Sequence, residues 1–220
     1  LSGMILISHV FMKELIENVD CEGLRSLLAR HPSLANEGIP HDSVNTTKAH
    51  PLHRICDGVF EKKYTDEEAV EMAKIFLDHG SDVNGYGLKE EQDTPLIAAA
   101  SLHAEKVGLL YIERGANIFH AGCHGGTALH WAAWCGRDKL VERLIIEKAE
   151  INRLCVAFKS TPLFWAIHGL KYGGDQNTHN QVVCVELLIK AGADKSIPNF
   201  EGHLPSELIG DVDGELKKLL

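Results

Sequence analysis

Three potential metal donors lie close together in His120-Ala-Gly-Cys123-His124. Imidazole and thiolate are the ligands that zinc and other borderline metals take, in sets of four for a structural site. Cys155 begins the next comparable loop, but no second paired motif completes a tetrahedron, so the stretch reads as polar contacts and no metal is expected. The rival reading of the 120–124 segment is a metal- or small-ligand-binding sensor. A second pair, Cys135 and His168, offers a thiol and a base for nucleophilic catalysis. Nothing in the sequence supplies an oxyanion site to go with them, and there is no G-x-S-x-G, G-x-x-x-x-G-K-[ST] or H-E-x-x-H. The chain is therefore expected to have no catalytic residues and no cofactor.

The segment GGTALHWAAWCGR, Gly125 to Arg137, raises a different kind of chemistry. It sets Trp131 and Trp134 among alanines and glycines, which let helices approach closely, on what reads as a short helix. An indole is a frequent interface anchor when exposed and a large packing unit when buried.

Composition narrows the partner. Hydrophobic residues make up 45% and charged residues 24%, as in an ordinary globular protein rather than a disordered or membrane one. The net charge of −9 argues against a phosphate backbone as the main ligand and favours a protein with a basic or neutral surface. No apolar run is long enough to span a bilayer. MILISHVF, from Met4, lacks the basic flank and small-residue cleavage site of a signal peptide, and Leu1-Ser2-Gly3 ahead of it looks like an added remnant. The six cysteines are scattered without C-x-x-C, which suits a reducing compartment and predicts a cytoplasmic protein. The sequon at Asn45 counts only in a secreted one.

The elements that would position these residues recur. HPLH (50–53), TPLI (94–97), TALH (127–130) and TPLF (161–164) begin 44, 33 and 34 residues apart, and a decayed LPSE (204–207) follows after 43 more. HGSDVN (79–84), RGANIF (114–119), EKAEIN (147–152) and AGADKS (191–196) keep the same register, each after an apolar run. Thr-Pro marks a helix start, because Thr caps and Pro gives up only an N–H that has no partner there. Apolar residues three and four apart then predict one short helix through Leu129, Ala132 and Ala133, and a second through Val141, Leu144 and Ile145. Gly80, Gly115 and Gly192 end the second helices.

From about residue 50 to 210 this pattern resembles the ankyrin repeat family, whose unit runs roughly G-x-T-P-L-H-x-A-A-x-x-G, a second helix, then G-A-D-x-N. The resemblance implies an all-α solenoid of helix-turn-helix units with hairpin fingers, forming a single domain over 1–220. Residues 1–49 would be an N-terminal capping repeat and linker, with a helix pair over Met12–Ala29. Four repeats would fill 50–203, and 204–220 would be the C-terminal cap. His50, Leu204, Ala128, Ile97, Phe164 and Lys148 depart from the consensus and put individual caps in question. The stretches 57–68 and 168–180 read as insertions between first and second helices, each carrying a tyrosine, Tyr64 or Tyr172, that could hold a peptide or merely dress a loop.

The resemblance also implies where function lies: the residues after the Ala-Ala pair, and the finger tips. The first set is Asp57, Ser101, Leu102, Trp134, Cys135 and His168. The second is Glu90, Glu91 and Asp93, then Cys123 and His124, then Phe158, then Phe200, Glu201 and His203. Trp131 and Trp165 share an earlier slot and are expected to pack between repeats, whereas Trp134 is expected at the surface. His53 and His130 take the family's structural histidine position. The implied function is non-catalytic recognition of a protein or peptide, with acidic fingers steering a basic surface and Trp134 as apolar anchor. The chain is expected to be monomeric on its own.

Overall fold

A computed structural model describes residues 2–41, 45–173, 178–209 and 214–220. These form twelve α-helices and a two-stranded ladder, an all-α repeat architecture as the resemblance implied. The chain divides into two compact units, one of Leu1–Leu88 with Thr94–Ala116, the other of Lys89–Asp93 with Asn117–Leu220.

In the first unit, α1 (Ser2–Glu17) and α2 (Cys21–Arg30) are the expected helix pair, longer at its start than the sequence suggested. Met12, Leu15, Leu24 and Leu28 are buried. Strands β1 (Ile39–Pro40) and β2 (Lys48–Ala49) pair antiparallel and lead into α3 (Pro51–Phe60). His50 replaces the missing threonine cap, its Nδ1 accepting from Leu52 N–H at 3.3 Å.

The 57–68 stretch is not an irregular loop. Helix α3 runs on to Phe60, and α4 (Asp66–Asp78) starts from a capping box in which Glu68 N–H donates to Thr65 Oγ1 at 3.2 Å and Thr65 N–H to Glu68 Oε2 at 2.8 Å. Tyr64 turns inward and its hydroxyl donates to Ile55 O at 3.1 Å. It fills space that Gly58 leaves, since a Cβ there would overlap the tyrosine ring. The reading of Tyr64 as a peptide contact is thereby corrected. The extra residues lengthen a helix and need a plug. Helices α5 (Pro95–Ser101) and α6 (Glu105–Glu113) complete the unit, with Thr94 capping α5 and the buried Tyr111 hydroxyl donating to Leu52 O at 2.8 Å.

The second unit begins its helices with α7 (Ala128–Trp134) and α8 (Asp138–Ile146). Next come α9 (Pro162–Tyr172) and α10 (Thr178–Lys190), then α11 (Pro205–Ile209) and α12 (Gly214–Leu219). Residues 174–177 of the second insertion and 210–213 of the C-terminal segment lie outside the described residues. Two substitutions that put caps in question are absorbed locally. Lys148, where the pattern has glycine, takes the left-handed backbone with φ 67°, a conformation that costs a residue bearing a Cβ. Ala128 loses nothing, because the preceding Thr127 is held by His130, whose Nδ1 lies 3.1 Å from Thr127 N and 2.9 Å from its Oγ1.

Candidate functional site

The second unit's finger tips are tight turns joined by main-chain bonds. Gly122 N–H donates to Gly126 O at 3.0 Å, Cys155 N–H to Ser160 O at 3.0 Å and Asn199 N–H to His203 O at 2.9 Å, closing three successive turns. Ala157 N–H then donates to His124 O, and Phe200 N–H to Phe158 O, each at 3.0 Å, stitching neighbouring fingers together. Gly125 makes the first of these approaches possible. It has φ 69°, and a Cβ there would run into the Val156 side chain. Asp93 braces the same finger by accepting from Cys123 N–H at 2.8 Å.

This ladder hangs its side chains beside the face of α7 and α9. His124 lies 5.5 Å from the Phe158 ring and 6.5 Å from Trp131, and Phe158 lies 6.1 Å from Trp165. The three tryptophans contact one another, with ring centroids at 5.6 Å for Trp131–Trp134, 5.1 Å for Trp131–Trp165 and 5.9 Å for Trp134–Trp165. His168 continues the array 5.9 Å from Trp134 and 4.8 Å from Tyr172. Together these rings wall a groove of about 610 Å³, which Phe200, Glu201 and His203 of the last finger also line. Gly169 lets α9 come this close to α7, since a Cβ there would overlap the Trp134 ring and backbone.

The electrostatics of the groove are simple. Among the described residues that line it Glu201 is the carboxylate, and no lysine or arginine takes part. Partial burial lowers the His168 pKa from its ordinary value. Beneath the wall, His130 is fully buried, its Nε2 lying 3.2 Å from Arg153 O and 3.3 Å from Ser160 O. Since Nδ1 receives the Thr127 N–H, the proton belongs on Nε2, and burial pushes the pKa down to about 4. His130 is thus a structural bracket under Trp165, as its position in the repeat implied.

Of the residues singled out from the sequence as partner contacts, Trp134, His124, Phe158, His168, Phe200, Glu201 and His203 come together in this groove. The others do not. In the second unit, Glu90 and Glu91 are exposed on the 89–93 segment, Cys123 is exposed on its finger and half-buried Cys135 caps α7. Asp57, Ser101 and Leu102 belong to the first unit, where Asp57 is bound to Arg54 at 2.6 Å.

The grouping of His120, Cys123 and His124 as metal donors is corrected. His120 Nε2 lies 2.8 Å from Gln92 O, His124 turns its ring to Phe158, and among the described residues no set of three metal-binding side chains is formed. The separation of Trp131 from Trp134 also fails. Both are half-buried in the same groove, while Trp165 is the buried member. Trp131, Trp165 and Tyr172 were missed as groove residues, although the signal was present. Trp131 and Trp134 stand three apart, and Trp165, His168 and Tyr172 stand three and four apart, which places each set on one helix face.

A family model for ankyrin repeats, in three copies, matches residues 65–155. The chain is 31% identical to human ankyrin repeat and SOCS box protein 16 over 71% of its own length and 32% of that protein. It is 29% identical to mouse palmitoyltransferase ZDHHC13, over 56% of this chain and 22% of that one. Its identity to the variola virus ankyrin repeat protein OPG189 is 31%, over 62% of this chain and 24% of the viral protein. The chain thus spans about a third or less of the length of these relatives.

Proposed function

We propose that this chain, a member of the ankyrin repeat family, recognises a partner protein through the aromatic groove of its second unit and does so without catalysis. Ankyrin repeats are protein-interaction modules, and the face used is the new element here. One observation carries it: all three tryptophans of the chain gather on one groove, two of them half-buried and flanked by Phe158 and Phe200, which are 42% and 61% exposed. Aromatic residues at such density on an accessible surface are the usual anchors of an interface core. The exposed acidic residues Glu90 and Glu91 favour a basic or neutral partner surface. The scattered placement of the cysteines, without C-x-x-C, favours a reducing, cytoplasmic setting. Among the described residues no helix is long and apolar enough to cross a membrane. We read the chain as one repeat domain, monomeric without its partner.

The test is to capture a partner from the native host with the intact chain and measure its affinity for wild type, Trp134→Ala and Phe200→Ala. Each substitution should weaken binding by about tenfold or more, the cost of truncating an anchor. Unchanged affinity in both variants would move the partner site off this groove.

A further inference from the structure

The chemistry of the groove goes further than an apolar surface. Trp131 and Trp134 are half-buried, yet their Nε1 atoms are shielded and make no hydrogen bond, so the indoles do not turn their N–H groups to an incoming ligand. Their exposed side-chain surface is therefore ring carbon, and the face of an indole attracts cations. Glu201 adds a negative charge at the rim, its side chain 54% exposed and 3.4 Å from His203 Nδ1, and among the described residues no lysine or arginine lines the groove. A purely apolar guest would strip water from Glu201 without replacing its hydrogen bonds. The site is complementary to a cation.

The shape of the wall selects among cations. With centroids at 5.1 to 5.9 Å, the three indoles touch and leave no room for a charged group between them. Trp131 and Trp134 are tilted by 34° and Trp165 crosses them at 81° and 90°, so the three indoles do not by themselves cage a rounded alkylammonium head. A flat cation can lie on such a wall. Guanidinium is planar, more weakly hydrated than ammonium, stacks on aromatic faces and pairs with a carboxylate through two parallel N–H bonds. At the groove's edge the chain already uses a cation on an aromatic ring, with Lys171 Nζ 5.3 Å from the Tyr172 centroid and donating to Leu208 O at 2.9 Å. That arrangement occupies Tyr172 and leaves the tryptophan wall open.

We infer that the groove receives an arginine side chain of the partner protein, its guanidinium stacked on the tryptophan wall and paired with Glu201. This rests on the groove being the partner site. The probes are four nonapeptides with identical Gly-Ser flanks and a central arginine, lysine, trimethyllysine or leucine. Because every tryptophan of the chain lines the groove, intrinsic fluorescence reports occupancy directly.

The arginine peptide should give a saturable change at an affinity at least about fivefold better than the other three. Glu201→Gln, at an exposed position that folding does not depend on, should cut the arginine affinity by about fivefold and leave the leucine peptide unchanged. Equal or tighter binding of the leucine peptide overturns the inference, and so does a preference for lysine or trimethyllysine or an arginine affinity indifferent to Glu201→Gln. In each of those cases the groove remains a protein-binding site. Silence from all four peptides also overturns it. The captured partner then separates the two readings: if Trp134→Ala still weakens its binding only the arginine is wrong, and if it does not the groove itself is wrong.

Discussion

The two units use one repeat pattern with opposite intent at two positions. The residue after the family's histidine slot is Arg54 in α3 and Ala98 in α5 of the first unit, but Trp131 in α7 and Trp165 in α9 of the second. Three residues on, the same series reads Asp57 and Ser101, then Trp134 and His168. In the first unit this face is spent on the unit itself. Arg54 donates from Nε to Ile39 O at 3.0 Å and from a terminal nitrogen to Thr47 O at 2.6 Å, and binds Asp57, tying the ladder to α3. In the second unit it carries aromatic surface that nothing in the unit covers fully. The scaffold positions between them stay buried and apolar in both, as Ile55-Cys56, Ala99-Ala100, Ala132-Ala133 and Ala166-Ile167 show. A repeat can thus hold its packing constant while the intervening slots are assigned either to internal bracing or to recognition.

Replacing Trp165 by alanine should test this division most severely. At 6% exposure it is the wall's buried member, and emptying its site should destabilise the protein by about 4 kcal/mol, read as a shift in denaturant midpoint. A loss under 1 kcal/mol would show that the wall is loosely packed and that the comparison with the braced first unit is misdrawn.

Acid should strike both units through a buried histidine each. The folded-state pKa values of His50 and His130 are depressed to about 4 by burial, below the unfolded value near 6.5. The unfolded chain therefore binds more protons between those limits. Stability should be full above pH 6.5 and fall as the pH drops toward 4, by up to roughly 3 kcal/mol for His130. His130→Gln should flatten the part of the slope that belongs to the second unit, measured by denaturation at a series of pH values. A slope unaltered by that change would mean the imidazole is not the buried neutral bracket described.

Trp131 and Trp134 should behave alike, which sharpens the contrast with the expectation that one is core and the other surface. Each alanine variant should lose about 1 to 2 kcal/mol, and the double variant should lose less than the sum by about 1 kcal/mol, because the rings are 5.6 Å apart. Exact additivity in a double-mutant cycle would separate the two roles again.

Lys148→Gly should give the smallest effect and the opposite sign. Restoring the family's glycine at a φ of 67° should stabilise the second unit by up to about 1 kcal/mol, since the left-handed strain removed exceeds the added unfolded-state entropy. A measured loss would mean that the lysine side chain contributes more than its backbone costs.

The sequence by itself determined the repeat, its register and most helix ends, because these rest on contacts within a few residues: Thr94 and Thr161 as caps, glycines 80, 115 and 192 as stops, apolar spacing for the faces. It also set Phe158, Phe200 and Glu201 on finger tips, where they are exposed, since a repeat fixes which slots face outward. What it left open depends on distances between segments far apart in the chain. The inward turn of Tyr64 needs the hole at Gly58. The approach of α9 to α7 needs Gly169 opposite Trp134, and from that approach Trp131, Trp134 and Trp165 become one wall rather than two core residues and one surface residue. Side-chain burial is a property of neighbouring elements, so only the tertiary structure could decide it.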